Sequence, residues 1–329
     1  MKKNLPLFYL PLIITLCVSV PLYAQNVKLV GASGSGGAHK AGTIFLFDPN
    51  SKTYTKRIDL DSTMGIRPVD KLIFYKGKVY GVAAYGGTGN GGGVFEFDTL
   101  TNTCSMKVDF KLEGIGENAY GGLTLKGDKL YGTTAFSNGL LSNGNRYGGS
   151  IFEYDPATGI ATKKYSIPRE TGYTLGKAIT GSLILYKDKF YGITRDGGKN
   201  QAGVLFEWDP ATNIYTKKYD FIKSEGCYPE GALTLVGDIL YGTTIGGGVN
   251  HTTDNNYGDG VLFQWNLTTN TYSKKVDFNR KVTGAAPRGQ LLYYQNNIYG
   301  TTSEGGIYDF SQQNATGRGT LFQFSPSNN

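Results

Sequence analysis

Residue types that build metal centres and disulfide frameworks are scarce in this sequence. Its 329 residues include two histidines, His39 and His251, and three cysteines. A zinc or copper centre needs three or four good ligands, so we expect no metal and no cofactor. Cys104 and Cys227 fall in different copies of the repeat described below, which disfavours a disulfide between them.

Long apolar stretches are missing after the first residues. Lys2 and Lys3 precede an apolar run that ends near Val20, and Ala24 offers a small residue at the end of the segment, as in a secretory signal peptide. Prolines interrupt this run, which disfavours a retained membrane anchor. We therefore predict a signal peptide over 1–24 and a secreted or cell-surface protein over 25–329.

Acidic residues are outnumbered by basic ones, and the formal net charge is +7. Such a charge is compatible with nucleic-acid binding. The basic residues instead concentrate as pairs in one strand of the repeat, at Lys56–Arg57, Lys163–Lys164, Lys217–Lys218 and Lys274–Lys275. Because lysine on an edge strand blocks unwanted strand pairing, we expect a monomer without a nucleic-acid partner.

Glycine and tyrosine are abundant, with 48 and 24 residues. A dipeptide that ends in glycine recurs at intervals of 50 to 60 residues, once as Val-Gly and then five times as Tyr-Gly, and its glycines are Gly31, Gly81, Gly132, Gly192, Gly242 and Gly300. Aromatic residues two apart follow each copy, as at Phe45 and Phe47, and this alternation indicates β-strands. Long stretches of helical period are absent, which excludes a helical solenoid.

Each copy is predicted to form four short strands, named a to d, with the Tyr-Gly pair in strand b. The units are approximately 27–60, 70–110, 121–167, 181–221, 231–278 and 289–324. Twisted four-stranded sheets that repeat around an axis close on themselves. The sequence therefore predicts an all-β fold, a single β-propeller domain of six blades with the first and last blades incomplete.

Length changes are confined to alternate connections of the repeat. The number of residues between the strand-a leucine and the strand-b glycine is the same in every copy that has both, for example in Leu72–Gly81 and Leu291–Gly300. The lengths of the b–c and d–a connections vary. These two connections lie at one end of an antiparallel blade, and variable loops on a rigid scaffold carry binding residues. We predict a single binding face; the alternative is loops that vary because nothing constrains them.

The repeat resembles a known family, the kelch-like Gloeo/Verruco-type repeat of secreted bacterial proteins. The family core is similar to Leu-Tyr-Gly-Thr-Thr, a Gly-Gly pair and Gly-Thr-Val-Phe. Matching stretches are 240–244 with Gly246-Gly247, and 298–302 with Gly305-Gly306 and 319–322. The resemblance covers nearly all of residues 27–324. It implies a β-propeller outside the cytoplasm and carries no catalytic signature.

The variable face offers aromatic and charged side chains. Aromatic planes pack on the C–H groups of sugars, and arginine binds hydroxyls or uronates. The candidate binding residues are Tyr85, Arg146, Tyr147, Tyr173, Arg195, Tyr228, Glu230, Tyr257, Arg288 and Tyr308. The alternative is that several of these rings only hold their own glycine-rich loops in place.

We therefore expect a non-catalytic binding module for carbohydrate recognition or for another extracellular protein. One alternative is a polysaccharide lyase or hydrolase, which rests on fold analogy alone. Its acid–base candidates are Glu117, Glu230, Arg195 and Tyr228. A second alternative is a structural surface protein, which a flat, glycine-lined face would favour.

Overall fold

The computed structural model describes residues 28–137, 148–168, 173–250, 257–306 and 318–328. In these ranges the chain forms six antiparallel sheets that are the blades of a β-propeller, as the repeat predicts. The helices within them are two single 3-10 turns, Lys223–Glu225 and Pro326–Asn328. A helix long and apolar enough to span a bilayer is not found in this part of the chain.

Blades 1 to 3 occupy the first half of the propeller. Blade 1 consists of β1 (Leu29–Ser33), β2 (Thr43–Asp48) and β3 (Thr53–Asp59). Blade 2 consists of β4 (Ile66–Tyr75), β5 (Lys78–Tyr85), β6 (Gly93–Asp98) and β7 (Thr103–Asp109). Blade 3 consists of β8 (Thr124–Lys126), β9 (Lys129–Thr134), β10 (Ser150–Asp155) and β11 (Ile160–Ser166).

Blades 4 to 6 complete the series. Blade 4 consists of β12 (Lys177–Tyr186), β13 (Lys189–Asp196), β14 (Val204–Asp209) and β15 (Ile214–Asp220). Blade 5 consists of β16 (Cys227–Val236), β17 (Ile239–Gly246), β18 (Val261–Asn266) and β19 (Thr271–Asp277). Blade 6 consists of β20 (Ala285–Pro287), β21 (Leu292–Tyr294), β22 (Asn297–Glu304) and β23 (Leu321–Phe324).

Within the described ranges, the first and last blades lack a complete set of four strands, as predicted. Consecutive strands are neighbours in blades 2 to 5, in the order a, b, c, d. The described strands of blade 1 are b, c and d. In blade 6 the inner strand a is divided into β20 and β21, which both pair with β22, and β23 is strand c.

The inner strands begin before the predicted unit boundaries. β4 starts at Ile66, β12 at Lys177 and β16 at Cys227, each ahead of the units predicted from 70, 181 and 231. Each of these strands contains a register shift, for example between Glu230 and Thr234. A β-bulge breaks the period-two alternation, so the residues before it do not have a strand pattern.

A steric contact explains both the recurring glycine and the constant intervals. Gly242 in strand b lies directly opposite Phe263 in strand c. A Cβ at Gly242 would lie 2.5 Å from Phe263 Cζ and 2.9 Å from Leu233 Cδ2 in strand a. Glycine and phenylalanine meet in this way in every blade, at Gly31–Phe45, Gly81–Phe95, Gly132–Phe152, Gly192–Phe206, Gly242–Phe263 and Gly300–Phe322. We call these glycines, phenylalanines and strand-a leucines the interblade layer.

Hydrophobic clusters join each blade to the next, from blades 1 and 2 to blades 5 and 6. Leu262 in strand c of blade 5 is 0% exposed because it packs against blade 6. The equivalent Leu321 of blade 6 is 75% exposed. In the described part of the chain, these clusters do not join blade 6 to blade 1.

A hydrogen bond to the end of strand d fixes several of the b–c loops. The carboxylate of Asp220 accepts a hydrogen bond of 2.7 Å from the Lys199 backbone N–H, just after the Gly-Gly pair of blade 4. The carboxylates of Asp59, Asp109 and Asp277 accept equivalent bonds in blades 1, 2 and 5. A loop anchored to strand d holds a defined shape at the end of the blade.

Candidate functional site

A cavity of about 690 Å³ lies on the propeller axis. Its walls come from the first halves of the inner strands of blades 2, 4, 5 and 6, from Tyr120 just before the inner strand of blade 3, and from residues at or just after the end of strand b in blades 3 and 4. Strand a begins, and strand b ends, at the end of each blade that carries the b–c and d–a loops. The axial cavity therefore lies toward the face that the variable loops predict as the binding face.

Close contacts between inner strands set the size of this cavity. Gly181 of blade 4 has a φ of +74°, and a Cβ there would lie 2.2 Å from the Gly231 carbonyl oxygen of blade 5. Gly231 in turn has a φ of +81° and approaches the Arg288 carbonyl oxygen of blade 6. Since a larger residue would clash with backbone at both positions, glycine brings the inner strands together around the axis.

One position of the repeat carries a different residue in each of blades 2 to 6. Counted from the strand-a leucine, this position is Val69, Tyr120, Thr180, Glu230 and Arg288 in blades 2 to 6. Four of these five residues line the axial cavity; Val69 is the exception. We call the five residues the axial rim.

Arg195, Glu230 and Arg288 come from three successive blades and meet in the cavity. Arg288 Nη1 donates a hydrogen bond of 2.7 Å to Glu230 Oε2. Arg195 Nε lies 2.8 Å from Glu230 Oε1 as an ion pair, but its buried N–H has no suitably angled acceptor among the described residues. One carboxylate thus holds two guanidinium groups, and we call this cluster the arginine clamp.

Two further cations line the cavity without a carboxylate partner among the described residues. Arg67 is exposed at the start of β4, with a φ of +58°. Lys177 begins β12, and its Nζ lies 5.0 Å from the centre of the Tyr173 ring. Between these two blades, blade 3 contributes Tyr120 and Phe136 to the wall. We call Arg67 and Lys177 the cation pair.

The remaining carboxylates of the cavity differ in their surroundings. Asp70 accepts hydrogen bonds from the Ser182 hydroxyl and from the Gly122 backbone N–H, so it connects blades 2, 3 and 4. Burial raises the pKa of Asp196 above its usual value, against the opposing effects of Arg195 and Lys177. With all three carboxylates ionised, the four cations leave the cavity wall with a net positive charge.

The structure brings together three of the ten predicted binding residues in this cavity, Arg195, Glu230 and Arg288. Tyr228 and Tyr257 lie outside the lining and pack on each other, with ring centres 5.5 Å apart. Tyr85 and Tyr173 also lie outside the lining.

The predicted residues Arg146, Tyr147 and Tyr308 lie outside the described residues. Of the acid–base candidates, Glu230 and Arg195 line the axial cavity, whereas Glu117 and Tyr228 do not. The binding roles of all these residues stay predictions.

Sequence reasoning missed Arg67, Asp70, Lys177 and Asp196. These residues lie at or before the bulge of the inner strand, or at the end of strand b, where the alternating pattern has ended. Aligning the copies on the strand-a leucine and the strand-b glycine shows which residues of different blades occupy the same position of the repeat. This alignment places Phe136 and Asp196 at the same position of blades 3 and 4.

The cysteines and the described histidine lie away from this chemistry. Cys104 and Cys227 are both free, and burial raises their pKa values to about 12 and about 11. Their thiols are therefore protonated near neutral pH and are poor nucleophiles. His39 is exposed in a b–c loop, and the described residues contain no group of three or more metal-ligating side chains.

The sequence matches the Gloeobacter/Verrucomicrobia repeat over residues 18–186 and 138–329, and the chain belongs to this family. No curated protein matches the chain. The family assignment agrees with the repeat motif and the propeller fold.

Two solved structures have a similar fold. One is the extracellular domain of a protein described as a one-component system from B. thetaiotaomicron, with 13% identity, a TM-score of 0.51 and 80% of this chain covered. The chain spans 29% of that protein. The other is a luciferin-regenerating enzyme, with 14% identity, a TM-score of 0.51, and 89% and 91% of the two chains covered. At these identities the likeness shows the fold alone.

Proposed function

We propose that this protein is an extracellular binding module that recognises a glycan in the axial cavity. The observation that carries the proposal is the arginine clamp, in which Arg195, Glu230 and Arg288 from three blades converge on one concave site. Polar groups fixed in a concavity are typical of small-ligand sites. Secretion remains the prediction from the N-terminal segment.

The size of the cavity favours a glycan over a protein partner. A volume of about 690 Å³ suits a small ligand or the end of a sugar chain. A stable protein interface instead buries about 800 Å² on each partner, which a cavity of this kind does not offer. Guanidinium groups held by Glu230 present oriented N–H donors, and these donors suit the hydroxyl groups of sugars.

A glycan array with purified residues 25–329 tests this function. We expect binding to a restricted set of glycans, and at least about tenfold weaker binding after Arg288→Gln, because a charge-assisted hydrogen bond contributes more than 1 kcal/mol. The matched control is Arg57→Gln, since Arg57 is exposed on the outer strand β3. Absence of binding to every glycan, or equal losses in the two variants, would contradict the proposal.

Glycan cleavage is a second candidate, favoured by one observation. Asp196 and Glu230 line the same cavity in different surroundings. Burial raises the pKa of Asp196, so this carboxyl group is protonated more readily, whereas Glu230 is paired with arginine. Two carboxyl groups in different environments can divide acid and base roles. The release of new reducing ends from array-positive polysaccharides, abolished by Asp196→Asn, would support this candidate. Intact polysaccharide after prolonged incubation would exclude it.

A further inference from the structure

We propose that the glycan bound in the axial cavity is acidic, and that a uronate ring lies against blade 3 with its carboxylate between Arg67 and Lys177. This inference deepens the proposed function and depends on it. It specifies a ligand chemistry and a part of the cavity that the arginine clamp does not define.

The arginine clamp and the cation pair differ in how far carboxylates neutralise their charge. In the arginine clamp, Glu230 already neutralises one of the two guanidinium charges. The cation pair, in contrast, has no described carboxylate within ion-pair distance, and Asp70 nearby is engaged by Ser182 and Gly122. Asp196, the register partner of Lys177 across β12 and β13, opposes part of the Lys177 charge and also interacts with Arg195. The positive charge that remains for a ligand is therefore at Arg67 and, in part, at Lys177.

Aromatic residues line the cavity wall between the blades that carry these two cations. Arg67 belongs to blade 2 and Lys177 to blade 4, and the blade between them contributes Tyr120 and Phe136 to the cavity wall. Both residues are half-buried and line the cavity. A sugar ring packs on an aromatic surface through its C–H groups, and a uronate adds the carboxylate that guanidinium and ammonium groups bind.

The opposite part of the wall suits neutral groups. Glu230 compensates part of the clamp charge, and the clamp still offers N–H donors from two arginines. Sugar hydroxyls accept such hydrogen bonds without bringing a further charge. One glycan could therefore place its acidic sugar at the cation pair and its hydroxyl groups at the arginine clamp, and so contact both sides of the cavity.

The experiment is a calorimetric titration of residues 25–329 with trisaccharides of galacturonate, glucuronate and mannuronate and with their methyl esters. Methyl esterification removes the charge and keeps the sugar ring. We expect at least one uronate to bind, with the affinity of its ester at least about tenfold lower, equivalent to 1.4 kcal/mol. A tri-glutamate peptide is the carboxylate control, and we expect it to bind at least about tenfold more weakly than the uronate.

Variants assign the effect to the cation pair. Arg67→Gln and Lys177→Gln each replace the charged group by a shorter, neutral amide, and each is expected to weaken the uronate about tenfold and the ester less than twofold. Lys177→Arg restores the charge and should retain most of the uronate affinity. Arg57→Gln on the outer strand is the charge-matched control and should leave binding unchanged.

Three different experimental outcomes would contradict different parts of the proposal. Equal affinity for uronate and ester, or binding of neutral array glycans without any uronate, would overturn the acidic-ligand proposal and leave the proposed function standing. Equal binding of tri-glutamate would overturn the assignment to a sugar. An array without any bound glycan would overturn the proposed function and this inference together.

Discussion

The interblade layer and the axial rim occupy fixed positions of the same repeat, yet they differ in composition. In the interblade layer, all six blades place a phenylalanine ring over a strand-b glycine. On the axial rim the five residues are valine, tyrosine, threonine, glutamate and arginine. Most of the first set is buried, only Gly31, Phe45, Leu72 and Phe322 being partly exposed, and four of the second set line an open cavity.

This difference separates stability from recognition. A glycine that lies under an aromatic ring cannot accept a side chain unless the ring of strand c and the leucine of strand a in the same blade move, so every copy keeps it. Four of the five rim residues line the cavity, where a change of side chain alters the cavity and removes polar contacts between blades, such as those of Glu230 with Arg195 and Arg288, and not hydrophobic core packing. Substitutions in the two regions should therefore have very different effects on stability.

The largest effect is expected from Gly242→Ala in the interblade layer. The added Cβ would lie 2.5 Å from Phe263 Cζ, and overpacking of this kind should lower the free energy of unfolding by about 3 kcal/mol. Chemical denaturation measures the change. Gly34→Ala is the control, because its Cβ would lie 3.5 Å from the nearest atom, and a loss of similar size there would contradict the steric account.

A smaller effect is expected from Tyr191→Phe at the polar edge of the blade contact. The Tyr191 hydroxyl is buried and donates a hydrogen bond of 2.6 Å to Glu207 Oε2. Its removal should cost about 1.5 kcal/mol, the usual contribution of a hydrogen bond to a charged group. Tyr293→Phe removes an exposed hydroxyl bonded to Asn296 and should cost less than about 0.5 kcal/mol. Equal losses in the two variants would refute the dependence on burial.

Glu230→Gln on the axial rim should change stability less. The side chains of Glu230, Arg195 and Arg288 are 19%, 35% and 49% exposed, so solvent partly screens the two ion pairs, although Arg195 Nε itself is buried. We expect a change of about 1 kcal/mol or less in the free energy of unfolding. A loss as large as that of Gly242→Ala would show that the rim belongs to the stabilising core, and the comparison would fail.

The smallest effect concerns carboxylates at the c–d turns. Hydrogen bonds from Lys78 and from the backbone N–H groups of Thr101 and Leu100 lower the pKa of Asp98 from 3.8 to about 2. Because the folded pKa is the lower one, the stabilisation is present above pH 3.8 and is lost as the pH falls toward 2. Asp98→Asn should flatten the loss of stability in this window, and an unchanged pH profile would contradict the prediction.

The sequence was sufficient for the architecture because its signals are local and repeat six times. Leu233, Gly242 and Phe263 meet in one steric contact. Because equivalent residues recur in the other copies, the sequence alone reveals the repeat that this contact requires. The site was only partly predictable. Arg195, Glu230 and Arg288 were named as members of a broad face, but their meeting point depends on how successive inner strands approach the axis.

The cation pair could not be predicted from alternation. Arg67 and Lys177 precede bulges in β4 and β12, and a bulge changes which side chains turn toward the axis. Both bulges lie next to close contacts between blades, which involve residues far apart in sequence. Only the three-dimensional arrangement of the blades shows that these side chains share one cavity.

Hydrogen–deuterium exchange, with and without the tightest array ligand, tests the central claim that the axial cavity is the binding site. We predict slower exchange in peptides that cover 66–71, 177–182, 228–232 and 286–290, which are the inner-strand segments around the axis. Exchange at the a–b turns, 75–78, 126–129 and 186–189, should stay unchanged. Protection confined to those turns, on the opposite face, would contradict the account.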